Sequence, residues 1–130
     1  HWGASLVIVM MFLHTLRVFF TGSYKKPREL NWIVGVLIFV TMLGLGFTGY
    51  LLPWDMKALF ATKVGIEIAA SVPFIGEQIK ILLAGDSEIL GAQTLTCFFA
   101  IHVFFLPAAL LGLLGAHFVF IRRQGISGPL

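Results

Sequence analysis

Three histidines lie in stretches of sequence that are otherwise almost wholly apolar. His14 falls in "WGASLVIVMMFLHTLRVFF", and His102 and His117 fall in "IHVFFLPAALLGLLGAHFVFIRR". An imidazole in such a setting costs free energy unless its nitrogens are engaged. The chemistry open to it is narrow: a hydrogen bond, a proton transfer, or a lone pair given to a metal. The chain has one cysteine, Cys97. That excludes a disulfide framework, a thiolate zinc cluster and a CxxCH haem-attachment motif.

The elements that position these residues can be read from composition. The 130 residues are 58% hydrophobic and 12% charged, against about 25% charged in soluble domains, so the solvent around this chain is lipid. Crossing a bilayer takes ~20 apolar residues. Three segments qualify: Trp2–Phe20, Trp32–Leu52, and one from about Leu95 to Ile121. Each must be helical, because lipid offers no partner to backbone polar groups. The fold class expected is all-α, a transmembrane helix bundle forming one domain over residues 1–130. The first residue is not methionine and opens directly into an apolar run, which reads as a piece of a longer chain.

Charge sets the orientation. The first connection carries Lys25, Lys26 and Arg28 against Glu29, and Arg122 and Arg123 come after the third span. The long connection 53–93 holds Lys57, Lys63 and Lys80 against Asp55, Glu67, Glu77, Asp86 and Glu88. Basic ends face the negative (n-side) compartment, which leaves the long connection on the positive (p-side) face. The net charge of +3 is thus accounted for by topology and does not suggest nucleic acid. Within the connection, "KALFATKVGIEIAASV" and "PFIGEQIKILLAG" mix apolar and charged residues at helical spacing. Two short amphipathic helices at the p-side interface are expected, with Pro73 as a helix start and Gly85 as a helix end. They either cover the surface as a lid or wall a lipophilic pocket.

Helix geometry then pairs the histidines. At about 100° per residue, a step of 15 leaves about 60° net, so His102 and His117 share roughly one face of the third span. His14 lies as far from the basic n-side end as His117 does, so these two can face each other at one depth. His102, near the p-side, needs a partner at the other end of the first span. His1 is 13 residues from His14, which leaves about −140° and the opposite face. A step of 14 leaves about −40°, so the expected partner is the residue just before His1; only a kinked helix end would bring His1 round. Imidazole pairs at two depths are what two stacked haems require. The plainer alternative, each histidine bonded to a backbone carbonyl, is harder to sustain for three intramembrane histidines at matching depths.

Glycine and arginine add to this. Gly35 and Gly49 are also 14 apart, one at each depth, and a helix comes closest to a flat cofactor where it has no side chain. Small residues also serve plain helix packing in membranes. Arg17 and Arg122, each about one turn n-side of a histidine, can snorkel to the interface or pair with a haem propionate.

Several motifs now carry a resemblance. "GAS" near the start, "HTLRVFFTGSYKKPRELNW", "GFTGYLLPWD", "AIHVFFLPAALLGLLGAHF" and "IRRQGISGPL" resemble the N-terminal half of cytochrome b from cytochrome bc complexes. The likeness is greatest to the short, split form of chloroplasts, cyanobacteria and some bacteria. It covers nearly the whole chain. It implies a redox subunit of a quinol–cytochrome c or quinol–plastocyanin oxidoreductase, with four helices holding two b-type haems. It gives His14 and His117 to the n-side haem. It gives His102, with a histidine just before His1, to the p-side haem. Gly35 and Gly49 match the family's glycines, and Arg17 matches its propionate arginine.

The resemblance also implies that quinol is oxidised on the p-side. One electron goes to an iron–sulfur protein, and the other crosses through both haems to an n-side quinone site, coupled to proton translocation. Phe47, Tyr50 and Met56, in a stretch that includes Gly46, match the p-side quinol-pocket lining. The rest of that pocket belongs to a C-terminal-half cytochrome b subunit. Further partners implied are a cytochrome c-type or other haem subunit, membrane lipid and a second copy in a homodimeric complex, in a bacterial cell membrane or, alternatively, a thylakoid membrane. One departure is Cys97 in "TLTCF", where many relatives have arginine; if that arginine contacts a p-side haem propionate, its loss should alter the haem's electrostatics or be compensated. Two other functions compete: a dihaem anchor of a dehydrogenase or hydrogenase, which would not carry "PWD" and "QGISGPL" in these contexts, and a haem-free transporter or scaffold.

Overall fold

A computed structural model describes residues 2–85 and 90–128, and all the regular structure in them is helical. His1, weighed above as a ligand, lies outside the described residues, as do positions 86–89 of the p-side connection. Helix α1 spans Trp2–Phe20 and α2 spans Glu29–Leu51; α3 (Met56–Ala70) and α4 (Gly76–Ala84) come next. Helix α5 (Ala92–Ala100) runs through a π-helical segment, Ile101–Phe105, into α6 (Leu106–Gln124). Three stretches are long and apolar enough to span a membrane: Trp2–Phe20, Glu29–Leu51 and Ala92–Gln124. None of the α1 span is buried, and Leu6, Val9, Phe12, Leu13 and Phe20 are each more than half exposed, an arrangement that a lipid solvent makes favourable.

Two corrections to the sequence-based expectations arise at helix ends. Helix α2 begins at Glu29, about one turn before Trp32, because an acidic first turn complements the helix dipole. Pro73 does not start α4. Phe74 adopts φ 73° and the helix begins at Gly76. Gly76 lies against the Ala70 carbonyl, where a Cβ would collide, so the α3–α4 turn can close this tightly only at glycine. Gly85 ends α4 as expected, with φ 77°.

The chain divides into two compact units. The first takes residues 1–43 and 107–130, and the second takes 44–106. In the first, Arg28 donates from Nε to the Gly125 carbonyl (3.3 Å) and from a terminal nitrogen to the Ile126 carbonyl (3.1 Å), while Ser23 and Ser127 share a hydrogen bond of 3.0 Å. These bonds tie the segment after α6 to the α1–α2 connection. In the second, Leu51, Ala58, Ile66, Ala84 and Phe98 form a small core. Asp55 caps α3 through the Ala58 amide (2.7 Å), and buried Thr94 donates to the Ala84 carbonyl (2.8 Å), joining α4 to α5. Helix α3 is not simply amphipathic. It buries Ala58, Thr62 and Ile66 on one face, yet Phe60, Val64 and Ile68 stand 64%, 59% and 66% exposed on another. A helix with an outward apolar stripe suits the membrane interface.

Candidate functional site

The first unit contains a cavity of about 420 Å³ lined by His14, Arg17, Asn31, Gly35 and His117 among others. Cofactor sites typically enclose about 300–1,000 Å³. Helix α1 supplies His14 and Arg17 one turn apart, α2 supplies Asn31 and Gly35, and α6 supplies His117. The two histidines placed at one depth by sequence thus open on one space. A Cβ at Gly35 would lie 3.5 Å from Cε1 of His117, an ordinary contact. The Nδ1 of His117 and the Oδ1 of Asn31 are buried without a formed hydrogen bond among the described residues. Arg122 does not line the cavity and is exposed, which favours snorkelling for it, while Arg17 borders the space.

In the second unit, His102 lies within the π-helical segment. Such turns are rare and cluster at functional positions. A π-turn takes up one residue more than an α-turn, so the wheel count of about 60° from His102 to His117, which assumes α-helix throughout, does not apply across it. Gly49 meets the His102 ring: a Cβ there would come within 2.6 Å of Cε1. Thr48, which residue spacing does not single out, is buried, and its Oγ1 lies 3.0 Å from Nδ1 of His102 while donating to the Gly44 carbonyl at 2.8 Å. The signal available in sequence is a hydroxyl beside Gly49 on a membrane helix, where few polar side chains are free of a task.

The three quinol-pocket candidates are not gathered into one cavity here. Phe47 packs on Phe98 (5.7 Å between ring centroids) and against Gly65, whereas Tyr50 and Met56 are exposed. A second cavity, in the same unit, is lined instead by Leu52, Leu95, Thr96 and Phe99.

Among the described residues no three of His, Cys, Asp and Glu come together as a site for a bare metal ion. Imidazole is an established ligand type for haem iron. The orphaned polar atoms, the apolar walls and the arginine at the rim of the first cavity fit such a group.

Residues 5–130 match the family model described as Cytochrome b(N-terminal)/b6/petB. The chain belongs to this cytochrome b family. Members carry b-type haem, and the three apolar helices make this chain an integral membrane protein. It is 83% identical over its full length to the menaquinol:cytochrome c reductase cytochrome b subunit of Geobacillus thermodenitrificans, and 82% identical to that of Bacillus subtilis (strain 168). It is 50% identical, over 99% of its length, to cytochrome b6 of Synechocystis sp.. The chain spans 58% of the length of each of these three relatives. A solved structure titled hyperthermophilic respiratory Complex III superposes with a TM-score of 0.85 at 32% identity, over 98% of this chain and 34% of that one.

Proposed function

We propose that this chain is the haem-bearing part of a cytochrome b subunit in a bacterial menaquinol:cytochrome c oxidoreductase. The observation that carries the reading is the convergence of His14 and His117 on one cavity in a chain of the cytochrome b family. His14 and His117 ligate the n-side haem. His102 and a histidine immediately before His1 ligate the p-side haem. Relatives at 82–83% identity named as menaquinol:cytochrome c reductase subunits favour menaquinol over plastoquinol and a cell membrane over a thylakoid.

When bound, haem iron supplies a site that takes up and releases single electrons. The chain's own residues do the rest. The neutral imidazoles of His14, His102 and His117 would hold the groups by offering a nitrogen lone pair to iron. Apolar walls exclude water, which holds the reaction to electron transfer. Arg17, at the rim of the first cavity, neutralises propionate charge there. Phe47, Tyr50 and Met56 contribute one side of a p-side quinol pocket completed by a C-terminal-half cytochrome b subunit. Haems held by His14, His117 and His102 would supply the one-electron sites for the branch of quinol oxidation that does not go to an iron–sulfur protein, with an n-side quinone as its acceptor. A cytochrome c-type subunit and a second copy of the complex complete the assembly.

The test is a redox-titrated optical spectrum of the intact complex. Wild type is expected to show two low-spin b-type components. His102→Ala should remove one and His117→Ala the other. A wild type with no b-type signal, or a His102→Ala complex retaining both components, would overturn the assignment.

A further inference from the structure

We propose that Thr48 is the positioning residue for the haem carried by His102: its hydroxyl holds Nδ1 of the imidazole and thereby fixes the ring and aims Nε2 at the iron. The inference rests on the reading of His102 as a haem ligand.

The proton count makes the case. A threonine hydroxyl has one proton and two acceptor lone pairs. Thr48 directs that proton to the Gly44 carbonyl, one turn back along α2, at 2.8 Å. The contact of 3.0 Å between Thr48 Oγ1 and His102 Nδ1 is then a bond in which Nδ1–H donates. The remaining nitrogen, Nε2, keeps its lone pair, as a metal-binding histidine requires. Burial strengthens this arrangement. Thr48 is 4% exposed, so no water competes for the hydroxyl, and a second orientation of the ring would leave Nδ1 without its acceptor. Gly49, the next residue, has no side chain to push the ring away; a Cβ would overlap Cε1 at 2.6 Å. Two adjacent residues of α2 thus act on one imidazole, Gly49 by leaving space and Thr48 by holding a nitrogen.

An acceptor at Nδ1–H makes the imidazole a stronger electron donor to the metal, which stabilises the oxidised state of the iron. No side chain provides such an acceptor at His117, whose Nδ1 is buried without a formed hydrogen bond. The other haem is therefore an internal control.

The experiment compares Thr48→Val, which keeps the shape and removes the hydroxyl, with Thr48→Ser, which keeps the hydroxyl. Both are made in the intact complex and monitored by redox-titrated optical spectra and by the low-spin ferric resonance of each haem. In Thr48→Val the midpoint of the component lost in His102→Ala should shift upward and its resonance should move, with the other component unchanged. Thr48→Ser should match wild type. Loss of that one component in Thr48→Val, with its retention in Thr48→Ser, supports the same role. Wild-type potentials and resonances in Thr48→Val would overturn the proposal, as would a Thr48→Ser complex shifted as far as Thr48→Val. Persistence of both components in His102→Ala is a different failure, since it removes the haem from His102 altogether.

Discussion

In the first unit, His14 and His117 border a cavity of about 420 Å³, and the buried Nδ1 of His117 has no hydrogen-bond partner among the described residues. In the second, His102 has a hydroxyl 3.0 Å from Nδ1 and a glycine against its ring that could not accept a Cβ. The same side chain is thus held in two ways: beside an open space in one unit and by direct contact with α2 in the other. The surroundings differ as much. The second unit has a buried core and polar ties between its helices, whereas α1, in the first, buries nothing within the protein. The first unit is tied mainly at its n-side end, by Arg28 and Ser23 to the segment after α6, and the second around a buried core.

The contrast can be broken most severely at the two glycines. Gly49→Ala should destabilise the second unit by about 1–3 kcal/mol, the usual cost of overpacking, and lower occupancy of the haem on His102. Gly35→Ala should cost the fold less, because its Cβ would stand 3.5 Å from the His117 ring and alanine is favoured over glycine inside a helix by about 1 kcal/mol, and its haem loss, from one methyl at the cavity wall, should be the smaller of the two. The haem-to-protein ratio, with the two optical components resolved, measures this. Equal haem loss in both variants would mean that the ring contact does not distinguish the sites.

A smaller effect is expected at the polar ties. Thr94→Val should cost about 1–3 kcal/mol by leaving the buried Ala84 carbonyl unpaired. Thr96→Val, whose hydroxyl bonds only the Ala92 carbonyl of its own helix on an exposed face, should stay within about 0.5 kcal/mol. Thermal unfolding of the solubilised complex separates the two. The smallest change belongs to Glu67→Gln, which removes a pair with Lys80 at 3.7 Å between partly exposed side chains. Such pairs contribute about 0–1 kcal/mol, and added salt should erase what there is. A large effect on the melt would mean that α3 and α4 are joined by charge more than by Gly76 and the core.

The spans are readable in sequence because hydropathy dominates local structure in lipid. Trp2–Phe20 has the bounds of α1, and Trp32–Leu52 differs from α2 by three residues at its start and one at its end. The meeting of His14, Arg17, Gly35 and His117 on one cavity is also legible, since a regular helix repeats its faces and no irregularity interrupts α1 or that part of α2. Around His102 the same arithmetic fails. Periodicity counts assume 3.6 residues per turn, and nothing in "IHVFF" announces a π-turn. Thr48 stays hidden for a related reason. Back-bonding to its own helix is the usual role of a threonine in lipid, so its second contact, with a residue 54 positions away, leaves no local trace. The tight turn at Phe74 depends on the meeting of Gly76 with Ala70 and is equally hidden.

The π-turn at Ile101–Phe105 also bears on how such a chain can change through inheritance. A codon gained inside an α-helix rotates every later residue of that helix by about 100°, a change that a membrane span rarely survives. A wide turn is a slot in which one surplus residue is already lodged. Losing a residue there returns the turn to an α-helix and leaves the span intact. The gene thus has a place in this span, at the π-turn that carries His102, where a codon can be lost without the rest of the helix being rewritten.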